Sequence, residues 1–131
     1  TGKYTITLEM KEKLADFAAG YSTEEETAES IHDTYQKTGY VMDTHTAVAA
    51  HVCGQYRAKS GDQTKCVIAS TASPYKFVKS VMSAIDAENA NADEFDLLPK
   101  LQEVSGVPMP QAIKDILDAI DRFVYFENRK K

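Results

Sequence analysis

Residues 66–74 read Cys66-Val67-Ile68-Ala69-Ser70-Thr71-Ala72-Ser73-Pro74, an apolar run followed by hydroxyl residues and a proline. The run Cys66–Ala69 is short, continuous and apolar, which predicts a strand buried on both faces, as in a parallel sheet. Ser73 is a candidate N-cap, and Pro74 suits the first helical position because its missing N–H costs nothing there. These residues therefore predict a buried strand, a tight turn and a helix.

Helical periodicity predicts three helices from this turn onward. The first follows Pro74, the second runs from about Phe95 to Ser105, and the last starts at Pro110. Their apolar stripes are Phe77, Val78, Val81, Met82 and Ile85, then Leu97, Leu98, Leu101 and Val104, and finally Ile113, Ile116, Leu117, Ile120, Phe123 and Val124.

Capping residues mark two helices upstream of the predicted strand. Ser22 and Thr23 each precede a glutamate by three positions, the pattern of a capping box, and Gly39 ends the helix that follows. Asp43-Thr44-His45-Thr46 leads into a second helix with Asp43 as a candidate cap. The small residues Ala47, Ala50 and Gly54 share one face of this second helix and predict close approach of a neighbouring backbone.

The N-terminal residues complete the predicted fold. Tyr4–Thr7 predicts a short strand or an extended lead-in, because it is rich in β-branched and aromatic residues. Leu8–Ala19 predicts a helix closed by Gly20, with Leu14 and Phe17 on its inner side. The predicted class is α/β, predominantly helical, with few strands. Because a lone strand leaves its backbone unpaired, its partners are these N-terminal segments or lie outside the 131 residues.

Composition limits the partners of the chain. Its 131 residues form a single segment with 15 basic and 20 acidic side chains, a formal net charge of −5. This acidic balance argues against nucleic acid and anionic membranes, which both favour a concentrated basic face. No apolar run approaches the roughly 18 residues of a membrane span, and the first residues lack a signal-peptide core, so we expect a cytoplasmic protein. Thr1 is not methionine, which indicates a processed or cut end.

Cysteine and histidine spacing favours structural roles. Cys53 and Cys66 show no Cys-x-x-Cys pattern, and we expect reduced, buried thiols. His32, His45 and His51 do not share the spacing of a ligand set, so no metal site is predicted.

Two places combine hydroxyl residues with a helix start. Ser70–Ser73 lies at the carboxyl end of the predicted strand, where α/β sheets bind ligands, and a helix N-terminus there offers free N–H groups. Asp43–Thr46 has the same character. Capping alone is the favoured explanation of each pattern, and a solvated lysine in the first turn of a helix is the favoured explanation of Lys76. The residues by themselves predict no more than a small-molecule site.

Taken together, the two places resemble motifs of threonine synthases. Gly39-Tyr40-Val41-Met42-Asp43-Thr44-His45-Thr46-Ala47-Val48 is similar to the Gly-Tyr-x-x-Asp-Pro-His-Thr-Ala-Val stretch of that family. Ser70-Thr71-Ala72-Ser73-Pro74-Tyr75-Lys76-Phe77 resembles its Thr-Ala-Ser/His-Pro-x-Lys-Phe stretch. The flanking regions follow in order, so the resemblance covers nearly the whole chain. Thr44 stands where the family usually has proline, which implies a less rigid turn.

The resemblance implies the C-terminal part of a pyridoxal-phosphate enzyme of the tryptophan-synthase-β-like family, fold type II. Threonine synthases convert O-phosphohomoserine and water to threonine and phosphate. By resemblance, Thr71 faces the pyridine nitrogen of the cofactor, and a neutral hydroxyl leaves that nitrogen largely unprotonated. Asp43, His45 and Thr46 would line or brace the same cleft, and Ser73 would support the turn. The lysine that forms the Schiff base, in a Phe-Lys-Asp setting, is absent from this sequence.

Two functions follow as hypotheses. The first is a C-terminal segment of threonine synthase that is inactive alone and depends on the N-terminal remainder of the enzyme. The second is a freestanding helical module that binds a partner or a small ligand without catalysis. If the segment is excised, the strand Cys66–Ala69 lacks its neighbours and is expected to promote self-association.

Overall fold

The computed structural model describes residues 2–128, and the side chains of residues 2–122. It is built from helices, with the longest connections at residues 14–23 and 61–73, which confirms the predominantly helical class. The elements are α1 (Leu8–Lys13), α2 (Glu24–Thr38), α3 (Thr44–Ser60), a 3₁₀ turn (Pro74–Phe77) that continues into α4 (Val78–Ile85), a second 3₁₀ turn (Ala87–Asn91), α5 (Glu94–Ser105) and α6 (Gln111–Asn128).

The ends of α2 follow local capping chemistry. The Thr23 hydroxyl accepts from the Glu26 amide at 3.2 Å, and the Glu26 carboxylate accepts from the Thr23 amide at 2.7 Å. This is the reciprocal pair of the predicted capping box. The helix ends at Gly39, whose φ of 73° lies in the left-handed region that only glycine adopts at little cost.

Helix α4 lies at the centre of the core, with α2 and α5 packed against it and α3 packed against α2. The predicted stripes of α4 and α5 supply most of the buried side chains, as expected. The buried apolar residues are Ile31, Val41, Met42, Ala47, Tyr75, Val78, Val81, Met82, Ile85, Leu97, Leu98 and Leu101.

The small-residue face of α3 is used at one end only. Ala47 is fully buried, and the Ser30 hydroxyl of α2 donates to its carbonyl at 3.3 Å. At Gly54, a Cβ would meet no atom within 4 Å among the described residues. The predicted close approach of a neighbour is therefore correct at Ala47 and wrong at Gly54.

The N-terminal region departs from the prediction. Helix α1 ends at Lys13 and buries no residue, and Phe17 is 75% exposed instead of facing a core. A six-residue helix gains little from its own hydrogen bonds, so without tertiary packing it does not extend to Ala19. Gly20 does pack, because a Cβ there would come within 2.8 Å of Val52 Cγ1 on α3.

The predicted strand at Cys66–Ala69 is not formed in the part of the chain that the structure describes. No backbone–backbone hydrogen bond involves residues 65–72 there, and Val67 is 90% exposed. A strand requires a neighbouring strand to satisfy its N–H and C=O groups, and the described N-terminal segments do not provide one. Tyr4–Thr7 is likewise without regular structure and serves as a lead-in to α1.

Within residues 111–122, helix α6 contributes only the edge of its apolar stripe to the core. Ile113 and Leu117 pack against the core, whereas Ile116 is half-exposed. Phe123 and Val124, predicted to extend this stripe, lie outside the residues whose side chains are described. Within the described range, no helix has both the length and the apolar character that crossing a membrane requires.

Candidate functional site

Asp43 is the buried cap of α3 and the centre of the candidate site. Its exposure is 1%, and its Oδ1 accepts from the amides of His45 at 2.9 Å and Thr46 at 3.2 Å. These bonds satisfy two of the amides that a helix N-terminus leaves without partners. The predicted cap at Asp43 is therefore confirmed.

The second carboxylate oxygen of Asp43 joins the two sequence motifs. Asp43 Oδ2 accepts from the Thr46 hydroxyl and, at 3.5 Å, from the Ser70 hydroxyl. The oxygens of the Thr46 and Ser70 hydroxyls are themselves 3.2 Å apart. The Thr46 hydroxyl has a single proton, which it donates to Asp43. The Ser70 hydroxyl is therefore the donor toward Thr46 and Asp43.

Ser70 lies within the candidate stretch Ser70–Ser73, but the sequence predicts no role of its own for it. In an extended chain, alternate side chains point to the same side, so Ser70 shares a side with Cys66. In the structure both residues contact α3: Cys66 contacts Cys53, and Ser70 contacts Thr46. This alternation is the sequence signal that groups Ser70 with Cys66. It does not identify which side of the extended chain contacts α3.

We use "segment 64–70" for the residues that run along α3 before the 3₁₀ turn. Three side chains of α3 hold it: Arg57 donates to the Thr64 carbonyl, Cys53 contacts Cys66, and Thr46 contacts Ser70. Positions 46, 53 and 57 are separated by seven and four residues, which is the spacing of one helical face. One face of α3 therefore fixes the whole segment.

The hydrogen bonds also set the ionisation of Asp43. Burial acts to raise the pKa of its carboxyl, but the Thr46 hydroxyl and the Thr46 and His45 amides lower it more. The net pKa of Asp43 is below its ordinary value, so the group is an anion at neutral pH. Since its two oxygens are engaged by α3 and Ser70, this anion serves to hold the two motifs together.

His45 lies at the edge of the site with its imidazole exposed. Its Nδ1 is 3.7 Å from Asp43 Oδ1, and its ring centroid is 5.0 Å from that of Phe77, at an angle of 51°. The ring borders a shallow depression whose other lining residues are Ser22, Glu24, Thr27, Thr44, Val48, Phe77 and Ser80. The imidazole is thus oriented by Phe77 and remains free to hydrogen-bond a small polar molecule.

Thr71 and Ser73 differ in their engagement. The Ser73 hydroxyl accepts from the Tyr75 amide at 3.3 Å and caps the 3₁₀ turn, as predicted. Thr71 is exposed, and within residues 2–122 its hydroxyl makes no hydrogen bond. Lys76 is also exposed. The structure therefore brings Asp43, Thr46 and Ser70 together and leaves Thr71 available next to them.

Two observations concern metals and thiols. No group of three or more His, Cys, Asp or Glu side chains in the described part of the chain is arranged to hold a metal ion. Cys53 is half-buried and Cys66 is exposed, so the prediction that both thiols are buried is wrong. Cys66 is exposed because its segment packs on α3 from one side only.

The family model described as "Threonine synthase, C-terminal" matches residues 46–130. The "Threonine synthase-like 1" of Mus musculus is 35% identical over 100 residues, which are 76% of this chain and 13% of that protein. The "Threonine synthase" of Saccharomyces cerevisiae is 30% identical over 105 residues, 76% of this chain and 20% of that protein. The "Threonine synthase" of Corynebacterium glutamicum is 31% identical over 107 residues, which are 79% of this chain and 22% of that protein. The chain thus spans a minor part of the length of these relatives.

Proposed function

Because the chain belongs to the threonine synthase family, we propose that it supplies the C-terminal part of the active site of a pyridoxal-phosphate enzyme. The reaction proposed for the whole enzyme is the conversion of O-phosphohomoserine and water to threonine and phosphate. The observation that carries the proposal is the bond between the motifs, Asp43 to Ser70, because it fixes Thr71 beside the start of α3.

The donor set beside this bond fits the pyridine end of the cofactor. When bound, pyridoxal phosphate supplies an electron sink for the substrate carbanion. Asp43 is unsuited to meet the ring nitrogen, since its oxygens already accept from His45, Thr46 and Ser70. The exposed Thr71 hydroxyl is neutral and free to donate to that nitrogen, which would keep it unprotonated.

His45, Thr46 and Ser73 complete the proposed site. The exposure of the His45 imidazole, which borders a shallow depression, supports a role for it in hydrogen-bonding polar groups of the substrate. Thr46 and Ser73 act by positioning: the Thr46 hydroxyl contacts the Ser70 hydroxyl and holds the segment, and the Ser73 hydroxyl caps the turn after Thr71.

By this proposal the isolated chain does not catalyse the reaction. Its sequence contains no Phe-Lys-Asp motif to anchor the cofactor and no glycine- and asparagine-rich phosphate loop. The N-terminal remainder of a threonine synthase must supply both. A cytoplasmic location belongs to the same proposal, because both cysteines are free and thiols stay reduced there.

The decisive experiment is a chimera. The region of the Corynebacterium glutamicum relative that aligns with this chain over 107 residues is replaced by the corresponding residues of this chain. Phosphate release from O-phosphohomoserine is then measured with pyridoxal phosphate present. We expect turnover by the chimera and none by the 131-residue chain alone.

Variants of the chimera separate the roles of the residues. Thr71→Val removes the proposed partner of the ring nitrogen at nearly constant size, and we expect a reduced rate with an altered cofactor absorption spectrum. Ser73→Ala, which removes a cap two residues away and retains the Thr71 hydroxyl, should alter that spectrum less than Thr71→Val does. A folded chimera that binds pyridoxal phosphate and releases no phosphate would contradict the proposal and favour a helical module without catalysis.

A further inference from the structure

The thiols of Cys53 and Cys66 face each other between α3 and segment 64–70. The Cys53 S–H donates to Cys66 Sγ, with the two sulfurs 2.9 Å apart, although 13 positions separate the residues. A disulfide bond has a length of about 2.05 Å, so the sulfurs are already close to bonding distance. Both cysteines are free, Cys66 is exposed and Cys53 is half-buried.

Contacts on either side hold the two thiols in place. Arg57 donates to the Thr64 carbonyl before Cys66, and Thr46 contacts Ser70 after it. The cysteines are therefore the middle of three contacts between one helical face and one segment. Because the backbone is held at both ends, little conformational freedom remains to be lost when the sulfurs bond.

We propose that Cys53 and Cys66 are an oxidisable pair that a peroxide converts to an intramolecular disulfide. The Cys66 thiol first loses its proton to solvent, and the thiolate attacks one oxygen of the peroxide. An S–O bond forms as the O–O bond breaks, which leaves a sulfenic acid on Cys66. The other oxygen takes a proton from solvent and leaves as an alcohol, or as water when the peroxide is hydrogen peroxide. The Cys53 thiol then attacks the resulting sulfenic acid, forming the S–S bond and breaking the S–O bond, and water leaves. In total the two sulfurs lose two electrons and two protons, and the peroxide is reduced.

The order of the two attacks follows from the geometry. Cys66 is the exposed sulfur and accepts the hydrogen bond from Cys53, so a peroxide in solvent reaches Cys66 first. The pKa of the Cys53 thiol is raised, first by this donation to Cys66 and then by burial. Cys53 is therefore the resolving thiol that reacts second.

The disulfide would act on the segment that ends in Ser70. It replaces the weakest of the three contacts by a covalent bond and prevents the segment from separating from α3. This modification is independent of the proposed function, because it requires neither the cofactor nor the rest of the enzyme.

The test uses the 131-residue chain treated with one equivalent of hydrogen peroxide. Trypsin releases Cys53 in the peptide 38–57 and Cys66 in the peptide 66–76. We expect these two peptides to be joined in a non-reducing digest and separated by dithiothreitol. The intact chain should lose the mass of two hydrogen atoms, and the reaction should be about tenfold or more slower in urea, where the thiols are no longer held together.

Two variants provide the controls. Cys53→Ser and Cys66→Ser should each abolish the joined peptide, and Cys53→Ser should retain the sulfenic acid at Cys66. Disulfide-linked dimers in place of the internal bond, sulfinic acid without a disulfide, or an equal rate in urea would each overturn the proposal.

Discussion

The hydroxyl oxygens of Thr46 and Ser70 lie 3.2 Å apart, although 24 positions separate these residues in the chain. Thr46 belongs to the first turn of α3, and Ser70 directly precedes Thr71 in the connection that leads to the 3₁₀ turn. Asp43 accepts from both hydroxyls, so a single buried carboxylate positions the two motifs relative to each other.

Removing the Asp43 carboxylate should lower the free energy of unfolding more than removing an ordinary helix cap does. Loss of a cap costs about 1 kcal/mol, and loss of the charged acceptor that the Thr46 and Ser70 hydroxyls share adds about 1–3 kcal/mol. We therefore expect Asp43→Ala to lower the free energy of unfolding by about 2–4 kcal/mol, measured by urea denaturation. Asp93→Ala is the matched control, because Asp93 caps α5 through the Phe95 amide from an exposed position. Equal losses of unfolding free energy in the two variants would show that the hydrogen bonds from the Thr46 and Ser70 hydroxyls to Asp43 add no stability.

Stability should fall in acid partly through Asp43. Its pKa is lowered in the folded chain, so its stabilising contribution is complete above the ordinary aspartate pKa of about 3.9 and is lost as the pH falls through the lower folded value. Asp43→Asn should therefore flatten the acid limb of the pH–stability curve. Asp33→Asn is the comparison, since the pKa of Asp33 is lowered by an exposed hydrogen bond from Lys37. Added salt should reduce the effect of Asp33→Asn on the acid limb and leave the effect of Asp43→Asn unchanged, because salt screens exposed charges more than buried ones. The reverse result would count against a buried Asp43.

Two glycine-to-alanine substitutions should change the free energy of unfolding in opposite directions. A Cβ at Gly20 would lie 2.8 Å from Val52 Cγ1, so Gly20→Ala should displace the N-terminal segment from α3. We expect faster tryptic cleavage at Lys13 and lower stability. Gly54→Ala meets no neighbour and should stabilise α3 by about 0.5–1 kcal/mol, as alanine does within a helix. Destabilisation by Gly54→Ala would indicate a contact at that position.

Self-association should depend on the unpaired segment. Val67 is 90% exposed next to backbone groups that have no strand partner in the described residues, an arrangement that favours edge-to-edge pairing. We expect concentration-dependent dimers in sedimentation velocity and their loss in Val67→Lys. Val107→Lys places the same charge on another exposed valine and should leave the dimers intact. A strictly monomeric wild-type chain at high concentration would refute this prediction.

The sequence by itself determined the family and the capped ends of α2, of α3 and of the turn before α4. Thr23, Asp43 and Ser73 cap their helices as predicted, and Gly39 ends α2, because a cap depends on a side chain and on amides two or three residues away. The stripes of α4 and α5 were predictable for the same reason, since periodicity is a local property. The motifs around Asp43 and Thr71 carried the resemblance, which the match over residues 46–130 confirms.

Only the tertiary structure decided which side of segment 64–70 meets α3. Alternation places Cys66 and Ser70 together, but the packing of the segment selects that side and brings the hydroxyl of Ser70, not that of Thr71, to Asp43. The length of α1 and the absence of a strand at Cys66–Ala69 in the described chain were decided in the same way. A short helix and a lone strand have no sufficient stability of their own, so they form only where another element covers or pairs with them.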